Sequence, residues 1–452
     1  MTLDEGALQM PDAHRTTRAM IAAAAALALT ATAAPAVAAE EPDTIVSGRL
    51  SDSTAYRFVV PADWNGTVFV NLDFAGGSPS AAQNELIDRG YAYGGTTRNV
   101  TGWNLGDAVD NQIEALDAFT AAVGEPDRAI AMGNSMGGMI AAATGELHPD
   151  RIDGVLAACG GLSGTVSQWN QKLDTVFVLS ELLDPEGTLP VEDVPADIEG
   201  ARNAWFARLA EAQQTPEGRA RIALAAAIGQ LPAWSQAIAD PDPQDPDAYQ
   251  AAWYGALAGD PLPYIGQAMS SRHTSTIVFG GMPSWNTGID YVEQLRKASP
   301  ESRRVVAELY DAAGLSLDED LAAVNAGERV EADPDAVERF AASYEFTGRI
   351  SVPTVTLNNV GDQISTVAQQ QEYEERVTHA GNASLLRQTY VASAGHCNFT
   401  AAETVAATEL LLDRLDTGRW GSANSVQLNR AADALDLGDA RFLAFHPDRF
   451  NR

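Results

Sequence analysis

The chain has 452 residues, 45% hydrophobic and 20% charged, with 38 Gly and 22 Pro, so it can bury a core and is neither disordered nor collagen-like. Its 61 acidic residues outweigh 29 basic ones for a formal net charge of −32, which argues against nucleic acid or an anionic membrane surface as a partner. The length fits one enlarged domain, or a core with a single large insertion, better than several independent domains.

His14 to Arg18 carries two Arg, Met20 to Ala34 is apolar, and Ala36-Val37-Ala38 offers small residues for cleavage. Residues 1–38 therefore read as a signal peptide, and the mature protein as secreted. The apolar stretch is short and mostly Ala, whereas a stable span needs about 20 strongly apolar residues. No Cys follows the cleavage site, so neither a membrane anchor nor a lipid anchor is expected there. Asp4 and Glu5 ahead of the basic residues are atypical, which leaves Met10 and Met20 open as translation starts.

Residues 39–160 alternate between two periodicities. Tyr56 to Val60, Thr67 to Leu72, Tyr91 to Thr96, Ala129 to Met132 and Gly154 to Ala158 read as strands. Ala81 to Arg89, Asp107 to Val123 and Met136 to Leu147 read as helices. Repeats of this size predict a mostly parallel sheet covered by helices on both faces. Strand character fades over residues 161–348, where Ser316 with Glu319 reads as a capping box and Asp333-Pro334 as a helix start. That stretch is a helical insertion. Residues 349–420 resume the sheet with strands at Thr354 to Asn358 and Leu385 to Val391, and residues 421–452 are a tail without a clear pattern.

The strand Ala129 to Met132 runs into Gly133-Asn134-Ser135-Met136-Gly137-Gly138 and then a helix, the context that a G-x-S-x-G nucleophile turn requires. A sharp turn lifts the Ser135 hydroxyl above the sheet, and the helix start presents N–H groups to a developing oxyanion. The alternative is a tight turn with an idle Ser.

A serine nucleophile needs a base, and six His are available. His14 lies in the leader, His446 in the tail and His273 in the insertion, while His148 and His379 end helices. His396 remains, in Ala394-Gly395-His396-Cys397-Asn398-Phe399 just past a strand. The acid in the order Ser, Asp, His is Asp362, after the strand Thr354 to Asn358. An Asp in a surface turn is the bland reading of Asp362, and Asp184 is an alternative acid.

These motifs together resemble the α/β-hydrolase superfamily, in which the nucleophile turn, a later acid and a final His occur in this order. The resemblance covers about Thr44 to Trp420 and implies an α/β-hydrolase fold, with residues 161–348 as a large helical lid domain. Where the lipases of the superfamily have His-Gly-Gly-Gly, this chain has Leu72-Asp73-Phe74-Ala75-Gly76-Gly77. The oxyanion donors implied are the N–H groups of Met136 and Phe74. The implied sheet order also brings Cys159, at the end of one strand, to Cys397 beside the base, which implies a disulfide, with two free thiols as the alternative.

Trp169, Trp205, Trp234, Trp253 and Trp285 fall in the insertion; they read either as an apolar pocket or as the insertion's own core. The Asp240 to Asp247 loop lacks the Gly and terminal Glu of a calcium loop. No His or Cys cluster has metal spacing, and no Gly-rich phosphate loop occurs, so no metal and no cofactor are expected. The expected activity is a secreted carboxylesterase acting on a small-molecule ester with an apolar group. An exported peptidase is the alternative, as is an acyltransferase, because Gly-x-Ser-Met-Gly-Gly and Gly-His-x-x-Phe also resemble homoserine acetyltransferases.

Overall fold

The computed structural model describes residues 43–421 and 424–452; the expected signal peptide lies outside them. Its strands are β1 (Thr44–Arg49), β2 (Ala55–Val60), β3 (Thr67–Leu72), β4 (Ala92–Thr96), β5 (Arg128–Asn134), β6 (Gly154–Ala158), β7 (Thr354–Gly361), β8 (Leu386–Ala394) and β9 (Phe442–Leu443). They form one sheet in the order β1-β2-β4-β3-β5-β6-β7-β8-β9. Neighbours from β4 to β8 pair in parallel, and β1, β2 and β9 join antiparallel at the two ends.

The parallel strands are apolar on both faces because helices cover both. Along β5, Ala129 and Ala131 join the core beneath helices Gly106–Val123 and Met136–Leu147, while Ile130 and Met132 point to the opposite face, under helix Ala401–Thr417. Helix Ala401–Thr417 starts at a full capping box, Thr400 with Glu403, and stops at Gly418, whose φ of 70° suits a residue without Cβ. The box expected at Ser316 forms only by half. Ser316 accepts the Glu319 N–H at 3.2 Å, but Glu319 does not reach back.

Every helix from Thr165–Leu183 to Pro334–Ser343 lies between β6 and β7, which pair in parallel, so the insertion starts at the carboxyl end of β6 and the chain re-enters the sheet at the amino end of β7. The insertion has its own core, in which Trp205, Trp253 and Tyr264 are fully buried. Trp169 packs in a smaller cluster with Phe279 and Phe340. From residue 424 the tail forms helix Ser425–Asp433, then β9 on the sheet edge, and ends against the insertion, where Arg452 pairs with Asp174 at 3.3 Å. No described helix is long and apolar enough to cross a membrane.

Candidate active site

Three loops at the carboxyl ends of β5, β7 and β8 bring the proposed residues together. Ser135 follows β5 with φ 58° and ψ −123°, a conformation that costs a non-glycine residue on the order of 1–3 kcal/mol. The neighbours make the turn possible. A Cβ on Gly133 would stand 2.3 Å from the Gly137 carbonyl oxygen, and one on Gly138 2.5 Å from that of Ala158. The Ser135 N–H donates to the Ala158 carbonyl at 2.9 Å, which ties the turn to β6.

His396 Nε2 stands 2.7 Å from Ser135 Oγ. On the other side of the ring, Nδ1 is 3.0 and 2.9 Å from the two oxygens of Asp362. A carboxylate only accepts, so the ring proton belongs on Nδ1, and the Nε2 lone pair faces the hydroxyl. Asp362 is 1% exposed. Its Oδ1 accepts the N–H groups of Ile364 at 2.8 Å and Ser365 at 3.0 Å, a turn that aims the carboxylate at the ring. Asp184, the alternative acid, is occupied elsewhere: it caps helix Thr165–Leu183 and accepts from Thr188 and the Leu189 N–H at 2.8 and 2.6 Å.

Cys159 and Cys397 form a disulfide with Cα atoms 5.4 Å apart. It joins the end of β6 to the residue after His396, and both cysteines adopt positive φ, 43° and 55°. Of the described residues, Asp362, His396 and Cys397 bring metal-ligand-type atoms within 4.8 Å of one another. The sulfur is bonded to Cys159, and the other two are hydrogen-bonded to each other.

Met136 opens the helix after Ser135, where a backbone N–H has no intrahelical acceptor. Phe74 opens a short 3-10 turn, Phe74–Gly76, that follows Asp73 at φ 76°. Phe74 and Asn134 line one cavity of 250 Å³, so this turn and the Ser135 turn face each other. Two arginines that the sequence did not single out hold the Phe74 turn. Arg57 of β2 donates to the carbonyls of Phe74 at 3.1 Å and Gly77 at 2.5 Å, and its guanidinium lies 4.9 Å from the Phe74 ring centre. Arg98 binds Asp73 through Nε and Nη2, and its Nη1 is 3.9 Å from Met136 Sδ. Their signal is absent from local sequence because each acts on a different segment of chain.

A second cavity of 270 Å³ reaches Asn134 from the side of the His396 loop, with Asn71, Gln83, Tyr93, Phe399 and Thr404 in its walls. Its lining is mixed polar and aromatic and comes from the hydrolase core, whereas Trp205 and Trp253 sit in the insertion's interior.

The model of the alpha/beta hydrolase fold family matches residues 71–312. An o-phthalyl amidase from Xanthobacter agilis is 34% identical over 435 residues, which covers 88% of this chain and 93% of the amidase. Among solved structures, feruloyl esterase B from Aspergillus oryzae aligns at 13% identity and a TM-score of 0.39, over 83% of this chain and 81% of its own. Est1E from Butyrivibrio proteoclasticus aligns at 9% and 0.37, over 83% and 100%. Those two overlaps are loose, and nothing about substrate follows from them. The family match over more than half of the chain, with an amidase aligned along most of its length, makes this chain a member of the α/β-hydrolase family and a hydrolase.

Proposed function

We propose that the protein is an exported serine hydrolase that transfers an acyl group from an ester or amide of a small aromatic carboxylic acid to water. The observation that carries this reading is the unbroken chain from Asp362 through His396 to Ser135. Ser135 Oγ attacks the acyl carbonyl while Nε2 takes its proton. The N–H groups of Met136 and Phe74 hold the oxyanion, and the imidazolium then protonates the leaving alcohol or amine. Water, deprotonated by the same nitrogen, releases the acid from Ser135. Asp362 keeps the other ring proton on Nδ1 throughout.

Esters have the better leaving group, so any acyl group the site accepts is cleaved from its ester at least as readily as from its amide. The similarity to an o-phthalyl amidase supports an o-phthalyl acyl group and brings amides into the range, beyond the ester preference expected from sequence. Export is supported by the signal-like leader and by the disulfide, which persists in oxidising compartments.

Matched o-phthalyl, benzoyl and medium-chain acyl esters and amides, assayed with wild type and Ser135→Ala, test the reading. The expected result is turnover of the o-phthalyl pair above the others. Ser135→Ala should lose at least about three orders of magnitude in kcat and all fluorophosphonate labelling. Near wild-type turnover by Ser135→Ala would remove the triad, and equal rates across the acyl series would remove the o-phthalyl preference.

A further inference from the structure

One of the buried charges of the insertion reaches the Asp362 loop, although the reaction above has no use for it. Lys172, one of two lysines in the chain, lies on helix Thr165–Leu183 with 1% of its surface exposed. Its ammonium donates to the Ile364 carbonyl at 2.8 Å. The rings of Tyr264 and Trp169 lie 4.5 and 5.5 Å from Nζ. Asp362, in the loop after β7, favours its charge through space, while Arg272, on helix Tyr264–Phe279, opposes it. Burial outweighs both and pushes the ammonium down to about 7.

The carbonyl that Lys172 holds belongs to the turn that aims the acid, because Ile364 donates its own N–H to Asp362 Oδ1. The turn is therefore gripped from inside by the carboxylate and from outside by a side chain 192 residues away in sequence. Burying an ammonium without a carboxylate in direct contact is costly, and Met would fill the same volume without that cost.

We propose that Lys172 is a positioning residue of the active site: it clamps the Asp362 turn to the insertion and offsets part of the carboxylate's field at His396. This rests on the Ser135–His396–Asp362 reading. With the lysine charge in place, the imidazolium that forms in the reaction is stabilised less than it would be by Asp362 alone. Removing the charge therefore moves the acidic limb of the activity profile toward higher pH.

The test compares Lys172→Met and Lys172→Gln with wild type, using an o-phthalyl ester for kcat and KM across pH and the fluorophosphonate labelling rate as a second readout. Lys172→Met should lose at least about tenfold in kcat with KM changed less than about threefold, and its acidic limb should rise by about half a pH unit or more. Lys172→Gln keeps a donor for the Ile364 carbonyl, so it should recover part of kcat while its limb stays displaced. Wild-type kcat and limb in both folded variants would overturn the proposal, as would loss of kcat with the limb unmoved. Failure of both variants to fold would make Lys172 a residue of the core and overturn it as well. Ser135→Ala separates the two readings: if it stays active, the triad itself fails, and if it is inactive while the Lys172 variants behave as wild type, only the positioning role fails.

Discussion

At the scale of single residues, the geometry around His396 makes the proposed acid testable apart from the proposed nucleophile. Asp362→Asn places an amide NH₂ where a carboxylate accepted, so it can turn the ring to put the proton on Nε2, facing Ser135. Turnover is expected to fall by about four orders of magnitude with little change in KM, the magnitude known for the equivalent change in a serine protease. Asp184→Asn is the control, because its oxygens serve Thr188 and Leu189, and steady-state kinetics of both variants check the assignment. A larger loss at Asp184 would move the acid there. Ser135, Asp362 and His396 could be picked out from sequence because each lies in a short loop with a strand immediately before it. Arg57 and Lys172 could not. Each looks like an ordinary strand or helix cation until the fold shows whose carbonyl it holds.

At the scale of elements, the strands of the parallel sheet follow from short, mostly apolar runs bounded by turns, and Thr67–Leu72 and Gly154–Ala158 were readable to the residue. The edge strands were not. In β1 five of six residues are exposed, which leaves no alternation to read, and β9 is only two residues long. The disulfide works at this scale, since it ties the end of β6 to the loop after β8 across 238 residues of sequence. Cys159→Ser with Cys397→Ser should cost up to about 5 kcal/mol in the chain-entropy account. Turnover should fall further than unfolding of the variant alone explains, because Cys397 adjoins His396. Thermal unfolding of the double variant, and kcat measured well below its midpoint, check both parts; an unchanged midpoint would mean that the native loop needs no covalent tie.

At the scale of the whole molecule, two buried charges on helix Thr165–Leu183 give stability opposite dependences on pH. Burial pushes Asp174 up to about 6, against the pull of Arg452 and the Tyr291 hydroxyl. Its contribution is full below the ordinary carboxyl range and lost as pH rises through about 6. Burial pushes Lys172 down to about 7, so its contribution is full above the ordinary lysine range and lost as pH falls through about 7. Wild type should therefore lose stability relative to Asp174→Asn between about pH 4 and 6, and gain relative to Lys172→Met from about pH 7 upward. Unfolding midpoints of the three proteins from pH 4 to 9 check the signs, and parallel curves would show that neither group titrates differently in the fold. The tail takes part in the same arrangement. It leaves the sheet edge at β9 and ends with Arg452 against Asp174, which adds a tie to the insertion from the tail to those made by Lys172 and by Gln363 with the Leu262 carbonyl.

The sequence by itself determined the α/β alternation and the sharp turn at Ser135, and it was enough to single out Ser135, Asp362 and His396 and a helical stretch between two strands. These are local signals: a periodicity of two or 3.6, a turn residue, or a motif between a strand and a helix is written within about ten residues. Tertiary structure alone decided which polar groups serve the site from a distance. The grip of Arg57 on the Phe74 turn, the reach of Lys172 to Ile364, the docking of Arg452 and the burial of Trp205 and Trp253 in the insertion's interior depend on which strands and helices become neighbours. That adjacency is set by sheet order and by the packing of segments far apart in the chain, to which no single stretch of sequence refers.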